Sequence, residues 1–246
     1  MKRYKHNYNK YDLYHNKVLN LKFSNKKVII FDLDGTLINS APDLAFAVNH
    51  MLQTLDRDTF SEEVIDTWVG NGAKTLVNRA LSGQSEIDES LDASFAAEAL
   101  EIFLAFYAQN LCIATMTYPN VATTLKDLKE AGYSLAIVTN KPFVFVEPIL
   151  EGLKLSGLFE LILGGDSLPL KKPDPMPLLH VCEKLGITVD ECVMVGDSKN
   201  DILAANAAKI QSIGVTYGYN YGEDIGIYDP DVVFDDFADI LTTLLK

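Results

Sequence analysis

Asp32 and Asp34, two positions apart after Val28-Ile29-Ile30-Phe31, carry the most concentrated chemistry in this sequence. An apolar run of β-branched and aromatic residues reads as a buried strand. On an extended backbone, residues two apart project to one side, so both carboxylates face the same way. Like charges held together repel, and a bound cation or a shared proton offsets that cost. The bland alternative is an ordinary acidic turn after a strand. Three further polar clusters weigh against it: Thr139-Asn140, Lys171-Lys172-Pro173 and Gly196-Asp197-Ser198-Lys199-Asn200-Asp201. Carboxylates with few histidines suit a hard, oxygen-seeking cation, and Mg²⁺ is the expected ion. A lysine and a hydroxyl beside backbone N–H groups suit the oxygens of a phosphoryl group.

For these clusters to act together, the fold must bring them to one edge. After the first strand, Ser40-Ala41-Pro42-Asp43 reads as a helix start with Pro in its first turn. Leu44, Val48, Met51, Leu52 and Leu55 then recur at helical spacing. Thr59-Phe60-Ser61-Glu62 fits a capping box ahead of Val64, Ile65, Trp68 and Val69. Further helical stretches cover 73–82 and 92–109, and no convincing strand lies within 41–112. From Tyr118-Pro119 onward, helices at 121–131, 143–155, 175–185 and 199–208 alternate with strands at 134–139, 161–163, 192–195 and 212–215. A short strand at 232–234 and a last helix follow. Such alternation indicates parallel βαβ units. The expected architecture is therefore an α/β, Rossmann-like parallel-sheet core, 27–40 and 119–246, interrupted by a helical module over 41–118. Hinges are expected near Ile38–Ala41 and Tyr118–Pro119. In open α/β sheets ligands bind beyond the carboxyl ends of the strands, so the four clusters should converge there.

As a set, Asp32-x-Asp34-Gly35-Thr36, the strand ending in Thr139, Lys172-Pro173 and Gly196-Asp197-x-x-x-Asp201 resemble the four motifs of haloacid dehalogenase-like phosphatases. Order and spacing agree, the helical module resembles that family's C1 cap, and the likeness covers about residues 27–246. Within the family, Ser40–Leu44, Val69–Gly72, Thr139–Pro142 and Gly164-Gly165-Asp166 are most similar to phosphoglycolate phosphatases. The resemblance implies a Mg²⁺-dependent phosphomonoester hydrolase. Asp32 would be the nucleophile that forms an aspartyl-phosphate, and Asp34 the acid and then the base. The cation would be held by the Asp32 carboxylate, the Asp34 backbone carbonyl and Asp197, with Asp201 supporting it directly or through water. Thr139 and the Asn140 backbone would hold phosphoryl oxygens, with Lys172 rather than Lys171 offsetting the growing charge. The implied substrate is 2-phosphoglycolate. The rival readings are a sugar-phosphate phosphatase, such as one for N-acetylmuramate 6-phosphate, a phosphosugar mutase, or a non-catalytic phosphate-binding protein. Asn39 and Asp174 depart from the family pattern, standing where relatives carry an acid and a histidine.

Gly70-Asn71-Gly72-Ala73-Lys74-Thr75 faintly resembles a phosphate-binding loop, but Ala73 replaces the second glycine and a helix precedes it. It reads instead as a turn between helices that could face the site, making Gly72, Lys74 and Arg79 candidates to contact a distal carboxylate. The composition, 48% hydrophobic and 22% charged, is that of a soluble globular chain. No apolar stretch approaches the roughly 18 residues that span a bilayer, and the polar N-terminus carries no secretory pattern. Three cysteines without a paired motif fit a reducing cytoplasm, and four scattered histidines do not suggest zinc. The net charge of −13 conceals a basic leader: residues 1–27 hold eight Lys/Arg and one acid. The acidic remainder argues against nucleic acid and for a small phosphorylated metabolite as partner. Residues 1–26 are expected to be a basic extension outside the core.

Overall fold

Val28–Phe31 forms strand β1, and its alternation sets the layering: Ile29 and Phe31 enter one apolar cluster, Val28 and Ile30 another. A strand buried on both faces needs helices on both sides. In the computed structural model, which describes residues 23–245, β1 lies in a six-stranded sheet with β4 (Ser134–Val138), β5 (Leu161–Leu163), β6 (Cys192–Gly196), β7 (Gln211–Val215) and β8 (Val232–Phe234). The order is β5-β4-β1-β6-β7-β8, with every pairing parallel. Helices α5 (Val121–Glu130), α6 (Val146–Gly152) and α9 (Ala238–Leu244) cover one face. Helices α7 (Met176–Leu185) and α8 (Lys199–Ala208) cover the other through Leu178, Val181, Ala204 and Ala205. The strand order reverses at β1, the topological switch point, and Asp32 follows directly from it.

Between β1 and β4 the chain makes the expected run of helices, α1 (Ala41–Thr54), α2 (Glu62–Asp66), α3 (Ala73–Ser82) and α4 (Ala93–Gln109). Their apolar faces pack together and merge with the cluster on one side of the sheet. The ring of Tyr107 meets Phe145 edge-on at 5.2 Å, carrying that contact across. The run is bracketed by a two-residue antiparallel ribbon, β2 (Ile38–Asn39) with β3 (Met116–Thr117). Strands so short leave no periodic signal in the sequence.

Two local expectations are corrected. The capping box over Thr59–Glu62 does not form: Ser61 is the N-cap of α2 without a side-chain cap bond. Asn49 instead grips Phe60 from both sides, accepting from its N–H at 3.0 Å and donating to its carbonyl at 2.8 Å. The helix expected over 143–155 is a short 3₁₀ turn, Phe143–Phe145, followed by α6. Pro148 lacks an N–H and is tolerated only in a first turn, so a regular helix starts at Val146. Packing also begins earlier than residue 27. Phe23 is buried in the core, and buried Lys26 donates to the Asp190 carbonyl at 2.7 Å. The rest of the basic leader, 1–22, lies outside the described residues. No helix among the described residues is long and apolar enough to cross a membrane.

Asp43, in the first turn of α1, joins the two ends of the helical run. Its carboxylate accepts from the N–H groups of Ile113, Ala114 and Thr115 at 2.8–3.0 Å and from the Thr115 hydroxyl at 2.6 Å. Both Thr115 donors are buried. Asp43→Ala removes the only acceptor these donors have among the described residues, and is expected to lower stability by about 2–3 kcal/mol, read as a lower urea midpoint with an unchanged m-value.

Candidate active site

The loop after β1 carries both leading carboxylates. Asp32 extends the ladder, donating its N–H to the Val195 carbonyl, and the chain then folds back as Leu37 and Ile38 donate to Leu33. Gly35 sits at φ +91°, and a Cβ there would fall 2.2 Å from Asp197 Oδ2. Only glycine allows both that backbone and that approach. Asp197 leaves the end of β6 and is held at both oxygens: Thr36 Oγ1 donates to Oδ1 and the Tyr219 N–H to Oδ2, each at 2.7 Å. Thus the ends of β1 and β6 are locked together.

Asp32, Asp197 and Asp201, all buried, bring carboxylate oxygens within 4.8 Å of one another. Lys172, with its side chain 1% exposed, sits among them, 2.9 Å from Asp32 Oδ1 and 2.6 Å from Asp201 Oδ1. Burial raises the Asp32 pKa to about 7, against the pull of Lys172 and with a further push from Asp201. Burial, then Asp201 and Asp32, holds Asp197 well above the usual carboxylate range. Burial alone would depress Lys172, but Asp201 and Asp32 outweigh it and leave its pKa raised. Three carboxylates against one ammonium remain under-compensated. Asp32 Oδ1, although beside that ammonium, has no hydrogen-bond donor aligned with it. An all-oxygen, anionic, buried donor set with more negative than positive charge fits a divalent cation. Asp201 differs from its companions because both its oxygens are engaged: Oδ2 accepts from Ser198 N and Oγ at 3.0 and 2.9 Å, closing a capping box on α8. It reaches the group chiefly by orienting Lys172.

Asp34 lines the same cavity as Asp32 but is not one of the three clustered carboxylates. Its Oδ1 accepts from Ser40 Oγ at 2.5 Å and from Lys141 Nζ at 2.9 Å. Lys141 was not among the expected site residues, although the signal existed. It stands two residues beyond Thr139 at the same strand end, the spacing that had flagged Asp32 and Asp34. Burial would lower its pKa, but Asp34 and the Tyr107 hydroxyl reverse the effect and leave it raised. Thr139 Oγ1 accepts from the Lys141 N–H at 3.1 Å. The Asn140 amide donates to the carbonyls of Lys172 and Gly70, each at 3.0 Å, while its Oδ1 is buried without a partner.

The Gly70–Gly72 turn therefore does face the site. Asn200 Nδ2 donates to Gly70 O at 3.2 Å, Tyr221 OH to Asn71 Oδ1 at 2.7 Å, and Lys171 Nζ to Asn71 O at 2.6 Å. Gly70 and Gly72 line a cavity that Asp32, Asp34 and Thr139 close on the sheet side. The cavity does not receive Lys74 or Arg79. Lys74 is exposed in a separate cleft beside α4, because the α3 face that carries Lys74 and Asn78 turns toward Ala96 and Leu100. Arg79 donates to the carbonyls of Trp68 and Ser85 at 2.7 and 2.8 Å and lies over the Tyr221 ring. Lys171 is spent on the turn, as a neighbour rather than a member of the buried group. The two departures are also accounted for: Asn39 Oδ1 accepts from Tyr219 OH at 2.6 Å, and Asp174 caps the Met176 N–H at 2.9 Å.

A β1 carboxylate pair at the switch point, a lysine ahead of a proline and an acidic loop after β6 define a hydrolase of known type. The family model for haloacid dehalogenase-like hydrolases matches residues 29–215, and the chain belongs to that family. It is an enzyme of the phosphatase kind. The chain is 54% identical over 226 residues to the phosphoglycolate phosphatase of Colwellia psychrerythraea, covering 92% of this chain and all of that one. It is 50% identical over 222 residues to the phosphoglycolate phosphatase of Psychrobacter arcticus, covering 90% of this chain and 96% of that one. A crystal structure described as a predicted phosphoglycolate phosphatase from Haemophilus somnus superposes with a TM-score of 0.83 at 44% identity, covering 89% of this chain and 97% of that one.

Proposed function

We propose that this enzyme is a Mg²⁺-dependent phosphomonoesterase that hydrolyses 2-phosphoglycolate to glycolate and phosphate through an aspartyl-phosphate on Asp32. One observation carries the mechanism. Asp32 Oδ1 is buried, lacks an aligned donor, and sits at the switch point beside Lys172 and Asp197. The names and near-full-length coverage of the two curated relatives support the substrate. Asp32 attacks phosphorus, and the Thr139 hydroxyl and Asn140 N–H hold phosphoryl oxygens. Lys172 offsets charge that builds on those oxygens in the transition state. Asp34, outside the carboxylate cluster, gives a proton to the departing alkoxide and takes one from the water that cleaves the intermediate. Asp32, the Asp34 carbonyl and Asp197 would hold Mg²⁺, which supplies Lewis-acid polarisation and charge neutralisation. Residues 41–118 act as a cap over the 27–40 and 119–246 core, hinged at the β2–β3 ribbon, and exclude bulk water when closed.

The test is magnesium-dependent phosphate release from 2-phosphoglycolate and a panel of sugar phosphates. The expected result is fastest turnover of 2-phosphoglycolate, abolished by chelator. A sugar phosphate hydrolysed faster, or isomerised with little free phosphate, would replace this reading with a rival.

A pH effect follows for the metal-free protein. Asp32 and Asp197 have folded pKa values above the ordinary carboxylate value, so the folded state binds their protons more tightly than the unfolded chain. The Asp32 contribution is fully present below about pH 4 and is lost as pH rises through about 7, and the Asp197 contribution is likewise lost as pH rises. Mg²⁺ opposes that loss. The rise in melting temperature on adding saturating Mg²⁺ should therefore be larger at pH 8 than at pH 5.5.

A further inference from the structure

The end of the cavity next to Asp34 is equipped for an anion that the phosphoryl-binding groups do not use. Lys141 is the only Lys or Arg among the described residues that line it. Its ammonium is buried, 2.9 Å from Asp34 and 4.9 Å from the centre of the Tyr107 ring. Tyr107 also lines the cavity, is 1% exposed, and among the described residues its hydroxyl has the Lys141 ammonium beside it but no acceptor for its own proton. Opposite them α3 begins: Gly72 is its N-cap, without a side-chain cap bond, and Gly72 and Ala73 both line the cavity. A ten-residue helix without a side-chain cap presents first-turn N–H groups and the positive end of its dipole. Leu44, Leu76 and Phe103 wall the remainder and limit the ligand's size.

We infer that Lys141, Tyr107 and the N-terminus of α3 bind a carboxylate on the leaving group, so that the enzyme selects phosphomonoesters bearing a carboxylate one carbon from the ester oxygen. The inference rests on Asp34 serving as the acid at that oxygen. In such a substrate a single methylene separates the oxygen from the carboxylate. Whatever binds the carboxylate must then adjoin Asp34, as Lys141 does and as Lys74 and Arg79 do not. The apolar walls act in the same direction, because the hydroxyls of a sugar phosphate would lie against them unpaired.

The test compares kcat/KM for 2-phosphoglycolate with that for 2-hydroxyethyl phosphate, in which CH₂OH replaces the carboxylate. The wild type should prefer the carboxylate by about 10²-fold or more. Lys141→Met should reduce that preference by about 10²-fold, mainly through KM for 2-phosphoglycolate, whatever it does to absolute rates. Lys141→Arg should restore part of the preference, and Tyr107→Phe should lower it several-fold. A wild type that hydrolyses neither ester overturns the proposed function and this inference with it. A wild type that hydrolyses both alike overturns the carboxylate site alone. A Lys141→Met enzyme that slows equally on both substrates shows that the lysine acts only through Asp34, and also overturns it. Should Lys141→Met not fold, an unchanged preference in Tyr107→Phe overturns the inference.

Discussion

Replacing Asp32 by Asn should lower kcat by about 10⁴-fold or more while leaving the metal-free protein at least as stable as the wild type. The two outcomes separate because, in the proposed mechanism, Asp32 serves chemistry at the expense of the fold. It is buried beside Asp197 and Asp201, with Lys172 as the one opposing charge near it. Asn keeps the shape, removes one of three crowded carboxylates and relieves repulsion, but an amide oxygen is too weak a nucleophile. Acid quenching during turnover should trap phosphate on the wild-type protein as a hydroxylamine-labile acyl phosphate, and none on Asp32→Asn. A variant that keeps more than a few per cent of turnover would remove Asp32 from the nucleophile's role. A variant that melts well below the metal-free wild type would show that the cluster is not under-compensated.

Much of this arrangement was legible in the chain because the fold's rules act on short segments. The β1 run and the later alternation of strands and helices specify a parallel sheet, and the rule of ligands beyond strand ends gathers Asp32, Thr139, Lys172 and Asp197. Side-chain engagement was less legible. Asp201 could be read as a metal ligand or a helix-capping acid, and the structure uses its two oxygens for Lys172 and Ser198. Lys74 and Arg79 were attractive because they are cations near a glycine turn. The rotation of α3, fixed by packing of Leu76, Val77 and Ala80, decides which of its residues face the cavity. That rotation depends on packing against α4, a separate helix that follows the 83–92 connection. Lys141 was missed for a different reason: its contacts are with Tyr107 from the helical run and Asp34 from the loop after β1, neither of which is its neighbour in sequence. The tyrosines that grip Asn39 and the Gly70–Gly72 turn, Tyr219 and Tyr221, come from a loop after β7 with no periodic signal at all.

Lys172→Met should show how strongly the buried group is coupled. Methionine matches the stem in length and leaves Asp32, Asp197 and Asp201 without their ammonium. Turnover should fall about 10²–10³-fold, the usual loss on removing one electrostatic partner of a transition state. Stability should fall by about 3–5 kcal/mol, the range for a buried ion pair broken on one side. The cause of that instability is repulsion among carboxylates, so protonating them or adding a cation should relieve it. The variant should gain more melting temperature than the wild type when pH is lowered from 8 to 5.5, and more from Mg²⁺ at pH 8. Asp201→Asn in the Lys172→Met background should recover part of the lost stability, because Asn can keep an oxygen acceptor for Ser198 while removing the unpaired charge. It should not recover turnover, since in the proposed mechanism the lysine also offsets charge on the phosphoryl oxygens. A double variant no more stable than Lys172→Met would mean that packing, rather than charge, makes Lys172 indispensable.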